Sequence, residues 1–262
     1  LGVPAYGASL TCTWVYSILP ILMEGGFIDR IERCETDSHV GRARNTIAAK
    51  FLEGGGDWLL FIDTDIGFTP ADLKRIYAQA LKHPEDITAG VYPLKRLTPG
   101  AVVNAMPGET PDDTGLLKVR ETGTGFMFIP RVALEKMRDQ CPQIAYTRDS
   151  GNAQLAGKTE WDFFQSGVWE YQGDPHLPDG HRRWLSEDYY FCQRHVALGG
   201  SIWLDCTLQL KHRGAMDSPP SEAEVKDAAA QKEQRKNVHS QDPRSQRQAG
   251  TPAQPVNCRG QG

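Results

Sequence analysis

Two carboxylates stand one residue apart at the end of an apolar run in this sequence. The run "WLLFI" (residues 58–62) is typical of a buried strand, and Asp63 and Asp65 follow it directly. Because residues two apart in an extended segment point the same way, both charges share one small volume. The pKa of one of them is then raised unless a cation lies between the carboxylates. The pattern favours a site for Mg²⁺ or Mn²⁺, which carboxylates hold together with substrate phosphates.

Two other interpretations of the "DTD" stretch stay open at this level. An Asp pair after a strand also serves as a turn or helix-capping pair. Haloacid-dehalogenase phosphatases likewise place two Asp residues at a strand end and use the first as nucleophile. Their pattern has Thr or Val two residues beyond the second Asp, where this chain has Gly67, and it lies on the first strand instead of the third.

Strands alternate with helices through the first half of the chain. A first strand is predicted to end at Pro4, and a helix over residues 40–53 is predicted to stop at Gly54. A second helix begins after Thr69, which forms a capping box with Asp72. This alternation predicts an α/β domain with a largely parallel sheet, in which ligands bind beyond the carboxyl ends of the strands.

The second half has fewer clear signals. Residues 116–130 are typical of paired strands around a glycine turn, and Ser186 is a candidate N-cap for a further helix. Residues 201–210 alternate cleanly, which predicts a single strand with Ile202, Leu204, Cys206, Leu208 and Leu210 on one face. From residue 215 onward large apolar side chains are almost absent, so residues 215–262 are predicted to be a disordered tail after one domain of residues 1–214.

Composition narrows the class of protein. The net charge of -4 over 262 residues gives no electrostatic footprint for nucleic acid. The six cysteines are widely spaced and form no CxxC pair, which argues against zinc and favours reduced thiols in a cytoplasmic protein. The opening apolar run is short and broken by Pro20, which argues against a signal peptide or a membrane span.

Seven motifs in order carry a resemblance to a known family: "VPAYG", "GRARN", "LLFIDTDIGF", "AGVYPLKR", "GTGFMFI", "SEDYYFC" and "LKHRG". With these, the chain resembles GT-A-fold glycosyltransferases of the family-2-like kind found in bacteria and their phages, over residues 1 to 214. The resemblance implies a Rossmann-like, mixed and mostly parallel sheet flanked by helices. It also implies a divalent cation, Mn²⁺ or Mg²⁺, and a nucleotide-sugar donor such as a UDP- or GDP-sugar.

The resemblance also implies roles for individual residues. The DTD pair bridges the metal to the donor diphosphate, His212 is the third metal ligand, and Asp188 is the catalytic base of an inverting enzyme. The nucleoside pocket and the region near the nucleotide comprise Pro4, Ala5, Tyr6, Arg44 and Asn45. The chain departs from the family's "DDGS" pattern after the second strand, where "ETDS" supplies Asp37 as a candidate nucleoside contact.

The residue types support several of these roles independently. The guanidinium of Arg44 matches phosphate oxygens, although a solvated first helical turn is the plain alternative. Glu187 and Asp188 also suit the dipole of a helix N-terminus, while Asp188 could accept a proton from an acceptor hydroxyl and Glu187 could orient that acceptor. His212 is either a surface histidine or a metal ligand, and the second role requires its ring to lie within about 8 Å of the Asp65 carboxylate.

Further candidates follow two strand ends. Tyr92 and Lys95 could contact donor or acceptor. Gly123 and Gly125 are either plain turn residues or positions that let the backbone approach the donor sugar.

The sequence therefore predicts a metal-dependent, inverting glycosyltransferase that moves a sugar to an acceptor hydroxyl. The acceptor could be a glycan, a lipid carrier, a protein or modified DNA. A sugar-phosphate nucleotidyltransferase is the alternative enzyme, although its Gly-rich phosphate loop near the first strand is missing here. A non-catalytic module that binds nucleotide-sugars or glycans is the alternative from another class.

Overall fold

The computed structural model of the protein describes residues 1–93, 101–149, 156–174 and 176–212. The helices are α1 (Cys12–Glu24), α2 (Val40–Glu53), α3 (Pro70–Ala80), α4 (Arg131–Gln140) and α5 (Glu187–Ala197). The strands are β1 (Gly2–Pro4), β2 (Glu32–Cys34), β3 (Trp58–Ile62), β4 (Ile66–Gly67), β5 (Ile87–Gly90), β6 (Val103–Ala105), β7 (Leu116–Thr122), β8 (Phe126–Pro130), β9 (Ala145–Thr147), β10 (Thr159–Trp161), β11 (Gly167–Tyr171), β12 (His181–Leu185), β13 (Ile202–Asp205) and β14 (Lys211–His212).

Eight of these strands form one central sheet in the order β2-β1-β3-β8-β5-β13-β7-β6. The pairings β1–β2, β1–β3 and β5–β13 are parallel, and β8 and β7 run against their neighbours. All strands of this sheet except β7 and β8 therefore point the same way. This is the mixed, mostly parallel sheet flanked by helices that the GT-A resemblance implies, and the predicted fold class is confirmed.

Helices cover both faces of the sheet. One buried cluster joins the sheet to α2, α4 and α5, through residues such as Ile47, Leu134 and Phe191. The second cluster joins the opposite face to α1 and α3, through residues such as Ile18 and Ile76. Because both faces are buried, β3 is apolar along its whole length, as expected for a central parallel strand.

Local signals predicted several element boundaries correctly. Thr69 caps α3, and its capping box with Asp72 is formed from both sides. Gly54 ends α2, and Ser186 precedes α5 as its N-cap residue, although without a side-chain bond to the helix.

Two predictions about strands are wrong. β7 and β8 are separated in the sheet by β5 and β13, and they run in the same direction instead of forming a hairpin. The residues between them, 123–125, carry the chain from one part of the sheet to another. The alternating run after Ser201 forms a strand only to Asp205, and Leu208 and Leu210 pack on the opposite face from Ile202 and Leu204.

Two further predictions concern residues beyond the described ones. These residues are Lys95 and the whole tail from residue 215. Within the part of the chain that is described, no helix is both long and apolar enough to cross a membrane.

Candidate active site

The DTD stretch forms a turn at the carboxyl end of β3. The Asp63 N–H donates to the Gly125 carbonyl (3.0 Å), and the Ile66 N–H donates back to the Asp63 carbonyl (3.1 Å). These two backbone bonds hold the turn against the crossing between β7 and β8. Both carboxylates are partly buried, with side chains 30% and 24% exposed for Asp63 and Asp65.

Arg44 lies under this turn and links it to the start of α5. Its Nη2 contacts both oxygens of Asp63, at 2.9 and 3.1 Å, and its Nη1 donates to Glu187 Oε1 at 2.6 Å. Burial opposes the charge of the guanidinium, but Asp63 and Glu187 outweigh that effect and raise the Arg44 pKa. Arg44 is therefore a buried, permanently charged group, and the solvated first-turn alternative is wrong.

His212 reaches Asp65 through a short strand pairing. β14 pairs with β4 in antiparallel register, with His212 opposite Ile66, the residue after Asp65. The His212 Nε2 atom lies 3.5 Å from Asp65 Oδ1, well inside the limit that a shared metal requires. The distance prediction is met, although a separate two-residue strand delivers the histidine instead of the continuous strand that was expected.

The environment of His212 suits a metal ligand. Its Nδ1 lies 2.7 Å from the Pro93 carbonyl, and a bond there requires the proton to be on Nδ1. The other ring nitrogen, Nε2, faces the Asp65 carboxylate, so a cation between them could be bound from both sides. Metal-binding histidines usually donate their second ring N–H to a carbonyl or carboxylate, and the Pro93 carbonyl is placed to accept such a bond here.

The residues present fit a divalent cation only in part. Asp65 and His212 supply one oxygen and one nitrogen ligand of the types that Mn²⁺ accepts. Asp63 is instead turned to Arg44, and among the described residues no group of three or more His, Cys, Asp or Glu side chains is close enough to hold a metal ion. Donor phosphates would have to complete the coordination, as they do for ions held by one or two carboxylates.

Asp188 lies beside this network in the first turn of α5. Its Oδ1 accepts bonds from the Ser186 hydroxyl and from the Tyr189 N–H (2.8 Å). Burial raises the Asp188 pKa above the usual range of an Asp, in spite of the Ser186 bond, and the neighbouring charge of Glu187 raises it further. A carboxylate with a raised pKa is a stronger proton acceptor, which is the property that a general base needs.

Two residues predicted to contact the nucleotide, Asn45 and Asp37, instead form hydrogen bonds within the protein. Asn45 is 2% exposed, and its amide group donates to Asp162 and accepts from the Phe164 N–H. Asp37 is 6% exposed, and Arg42 contacts both of its oxygens, at 2.5 and 2.8 Å. Because both side chains are buried and engaged by protein groups, neither can contact a nucleotide in this conformation.

The glycines of the "GTG" crossing make room for a tyrosine. A Cβ at Gly123 would lie 2.1 Å from the Tyr92 hydroxyl oxygen, and a Cβ at Gly125 would lie 2.9 Å from the Tyr92 ring. Tyr92 is buried, accepts a bond from the Gly125 N–H (3.1 Å), and packs edge-on against the His212 ring. These glycines therefore make space for Tyr92, and the approach of their backbone to a donor sugar stays a prediction. Because Tyr92 is buried and packs against the His212 ring, it supports His212 and is not exposed to a ligand.

The remaining predicted residues differ in exposure. Ala5 is buried, Pro4 is partly exposed and Tyr6 is 65% exposed at the carboxyl end of β1, so this segment offers the Tyr6 ring to a ligand. Glu187 was expected to orient an acceptor, but its carboxylate binds Arg44.

Sequence reasoning missed two buried polar networks near the site. Arg148, Glu160 and Thr46 join α2 to the β9–β10 hairpin. Glu121 in β7 is fully buried and binds Tyr171 and Arg183 from the β11–β12 hairpin. Their partners are 12 to 114 residues apart in sequence, and no local spacing signals such contacts.

Comparison with solved structures finds similar folds. A197 from STIV superposes with a TM-score of 0.50 at 21% sequence identity, over 80% of this chain and 83% of its own. That similarity concerns the fold alone. A structure of GalNAc-T7 with UDP, GalNAc and Mn²⁺ matches 73% of this chain and 34% of its own, at 13% identity and a TM-score of 0.41, which is too weak to support a conclusion. No protein-family model matches the sequence, and no curated protein sequence matches it.

Proposed function

We propose that this protein is a metal-dependent, inverting glycosyltransferase that takes a nucleotide-activated sugar as donor. The observation that carries the proposal is the pairing of β14 with β4, which places His212 Nε2 3.5 Å from Asp65 Oδ1 although the two residues are far apart in sequence. The same sheet edge holds the buried Arg44 and, in the first turn of α5, Asp188. A cation site and a proton acceptor are two of the groups that this transfer requires.

In the proposed reaction, Asp188 acts as the general base. The Asp188 carboxylate receives the proton of an acceptor hydroxyl while the hydroxyl oxygen forms a bond to the anomeric carbon. The bond from that carbon to the diphosphate breaks, and its electron pair leaves with the nucleoside diphosphate. Because attack comes from the face opposite the leaving group, the anomeric configuration inverts.

Asp65 and His212 would hold the divalent cation together with the donor diphosphate. When bound, the cation would neutralise negative charge that develops on the leaving diphosphate. Arg44 keeps Asp63 paired and adds positive charge beneath the same turn. Tyr6 is the exposed side chain available to the nucleoside at the end of β1.

A ligand screen followed by product analysis tests this function. Thermal unfolding would be followed with UDP, GDP and other nucleoside diphosphates, each with and without Mn²⁺ or Mg²⁺. A ligand at 100 times its Kd adds about 2.7 kcal/mol to stability, so specific binding is readily detected. We expect one nucleoside diphosphate to stabilise the protein only when the metal is present.

The product then separates the alternatives. Release of the nucleoside diphosphate from its sugar conjugate supports a glycosyltransferase. Release of pyrophosphate from a nucleoside triphosphate and a sugar phosphate would instead indicate a nucleotidyltransferase. Metal-dependent binding of nucleotide-sugar, with no turnover in the presence of a broad set of acceptors, would indicate a binding module.

A further inference from the structure

The Arg44 side chain ties three elements of the site to one buried group. It projects from α2 and binds Asp63 at the end of β3 and Glu187, the first residue of α5. Glu187 is 143 residues from Arg44 in sequence, so this contact fixes the position of α5 relative to the sheet edge. Asp188 is the next residue of α5, and its position follows from that of Glu187.

Close packing reinforces this link. Gly41 lies in the first turn of α2, three residues before Arg44, and a Cβ there would lie 2.5 Å from the Phe164 carbonyl oxygen and 3.4 Å from the Glu187 Cβ. The Phe164 carbonyl therefore leaves no space for a methyl group at Gly41, and the start of α2 lies in van der Waals contact with the start of α5. Glu187 is held on one side by this contact and on the other by the guanidinium.

The contacts of Arg44 also argue against a direct bond to the donor. The side chain is 4% exposed, and both terminal nitrogens are engaged by carboxylates. Within the described part of the chain, Nε is the guanidinium nitrogen that has no hydrogen-bond partner, and it is itself buried. A phosphate could reach Arg44 only if the bond to Asp63 or to Glu187 were broken first.

We propose that Arg44 is a positioning residue, which couples the donor side of the site to the base by holding Asp63 and Glu187 on one guanidinium. This inference rests on the proposed function, since it assigns Arg44 to the same reaction. A positioning residue that acts through Glu187 affects the rate of transfer more than the affinity for the donor. Displacement of a reacting group by about 1 Å can cost 100-fold in rate.

A double-mutant cycle tests the coupling. Arg44→Gln, Glu187→Gln and the double variant would be compared with the wild type for kcat and donor KM of sugar transfer. We expect each single variant to lower kcat by about 10- to 100-fold, with donor KM changed by less than about threefold. We expect the double variant to be no slower than the slower single variant, because both changes remove the same charge-assisted bond between Arg44 and Glu187.

Arg131→Gln is the matched control for loss of stability. Arg131 binds the backbone carbonyls of Phe51, Gly54 and Gly56 near the start of β3, at the other end of that strand. This variant should lower Tm while leaving kcat at the wild-type value. If Arg44→Gln fails to fold, Glu187→Gln leaves the guanidinium in place and weakens the same link, because it removes the charge of the Glu187 carboxylate.

The possible results distinguish a failure of the positioning role of Arg44 from a failure of the proposed function. A tenfold rise in donor KM for Arg44→Gln, with Glu187→Gln unaffected, would make Arg44 a phosphate ligand and overturn its positioning role. Additive losses in the double variant, or a wild-type kcat in Glu187→Gln, would overturn it as well. An absence of transfer by the wild type would instead refute the proposed function, and the role of Arg44 would fall with it.

Discussion

Replacing Gly123 by Ala should destabilise the protein and loosen His212 through Tyr92. The added carbon would lie 2.1 Å from the Tyr92 hydroxyl oxygen and 2.8 Å from Val102 Cγ1, whereas contacts between carbon atoms are normally about 3.5–4.0 Å. Gly123 is not among the glycines with positive φ, so the effect arises from lack of space and not from backbone strain. Tyr92 is buried under His212 and has to move.

The size of the effect follows from two contributions. Overpacking of a buried position costs about 1–3 kcal/mol. Movement of the Tyr92 hydroxyl also deprives the Gly125 N–H of its acceptor, which costs about 1 kcal/mol more. We therefore expect a loss of about 2–4 kcal/mol in the free energy of unfolding, or roughly 5–15 °C in Tm for a chain of this size.

Thermal and urea unfolding would measure the loss, with Gly55→Ala as the control. Gly55 has open space around its Cβ position and no positive φ, so this variant should stay within about 0.5 kcal/mol of the wild type. Tyr92→Phe in the Gly123→Ala background removes the clashing oxygen and should recover part of the loss. If Gly123→Ala were as stable as Gly55→Ala and only raised the donor KM, Gly123 would serve the donor sugar and the packing explanation would be refuted.

Three further predictions follow from single side chains. His212→Ala should weaken Mn²⁺-dependent binding of nucleoside diphosphate, measured by calorimetry, by about tenfold or more. The variant should still unfold in one cooperative step. Binding equal to that of the wild type would remove His212 from the metal site. Because the Asp188 pKa is raised, kcat should fall on acidification through a pKa above that of an ordinary Asp, and a profile that is flat down to pH 4 would contradict this assignment. Asp86 is partly buried, but the bonds from Trp203 Nε1 and the Ser201 N–H, together with the His195 ring 3.7 Å away, outweigh burial and lower its pKa to about 2. Its stabilisation is therefore complete above about pH 4 and is lost as the pH falls through about 2, so Asp86→Asn should cost about 2 kcal/mol at pH 7 and only a small part of that at pH 2.

Features that depend on neighbouring residues could be predicted from the sequence. The capping box at Thr69 and Asp72, the apolar strand before Asp63 and the glycine after α2 are all local signals, and each element formed as expected. The mostly parallel sheet could also be predicted from the sequence, because alternating strands and helices allow few other arrangements.

Features that depend on long-range packing could not be predicted. A glycine pattern such as "GTG" looks the same in a hairpin and in a crossing between distant strands, and only the order of the strands in the sheet distinguishes them. Arg44 and Asn45 look alike as polar residues at the start of a helix. Their different tasks follow from Glu187 and Asp162, which are 143 and 117 residues away.

The most direct test of the central claim is the effect of Asp188→Asn on release of nucleoside diphosphate from a nucleotide-sugar. The asparagine side chain has nearly the same shape and keeps an oxygen for the bonds from Ser186 and the Tyr189 N–H, so donor binding should stay within about twofold of the wild type. Loss of the base should slow metal-dependent, acceptor-dependent release by about 100-fold or more. Release at the wild-type rate, or a product that retains the donor's anomeric configuration, would contradict the account.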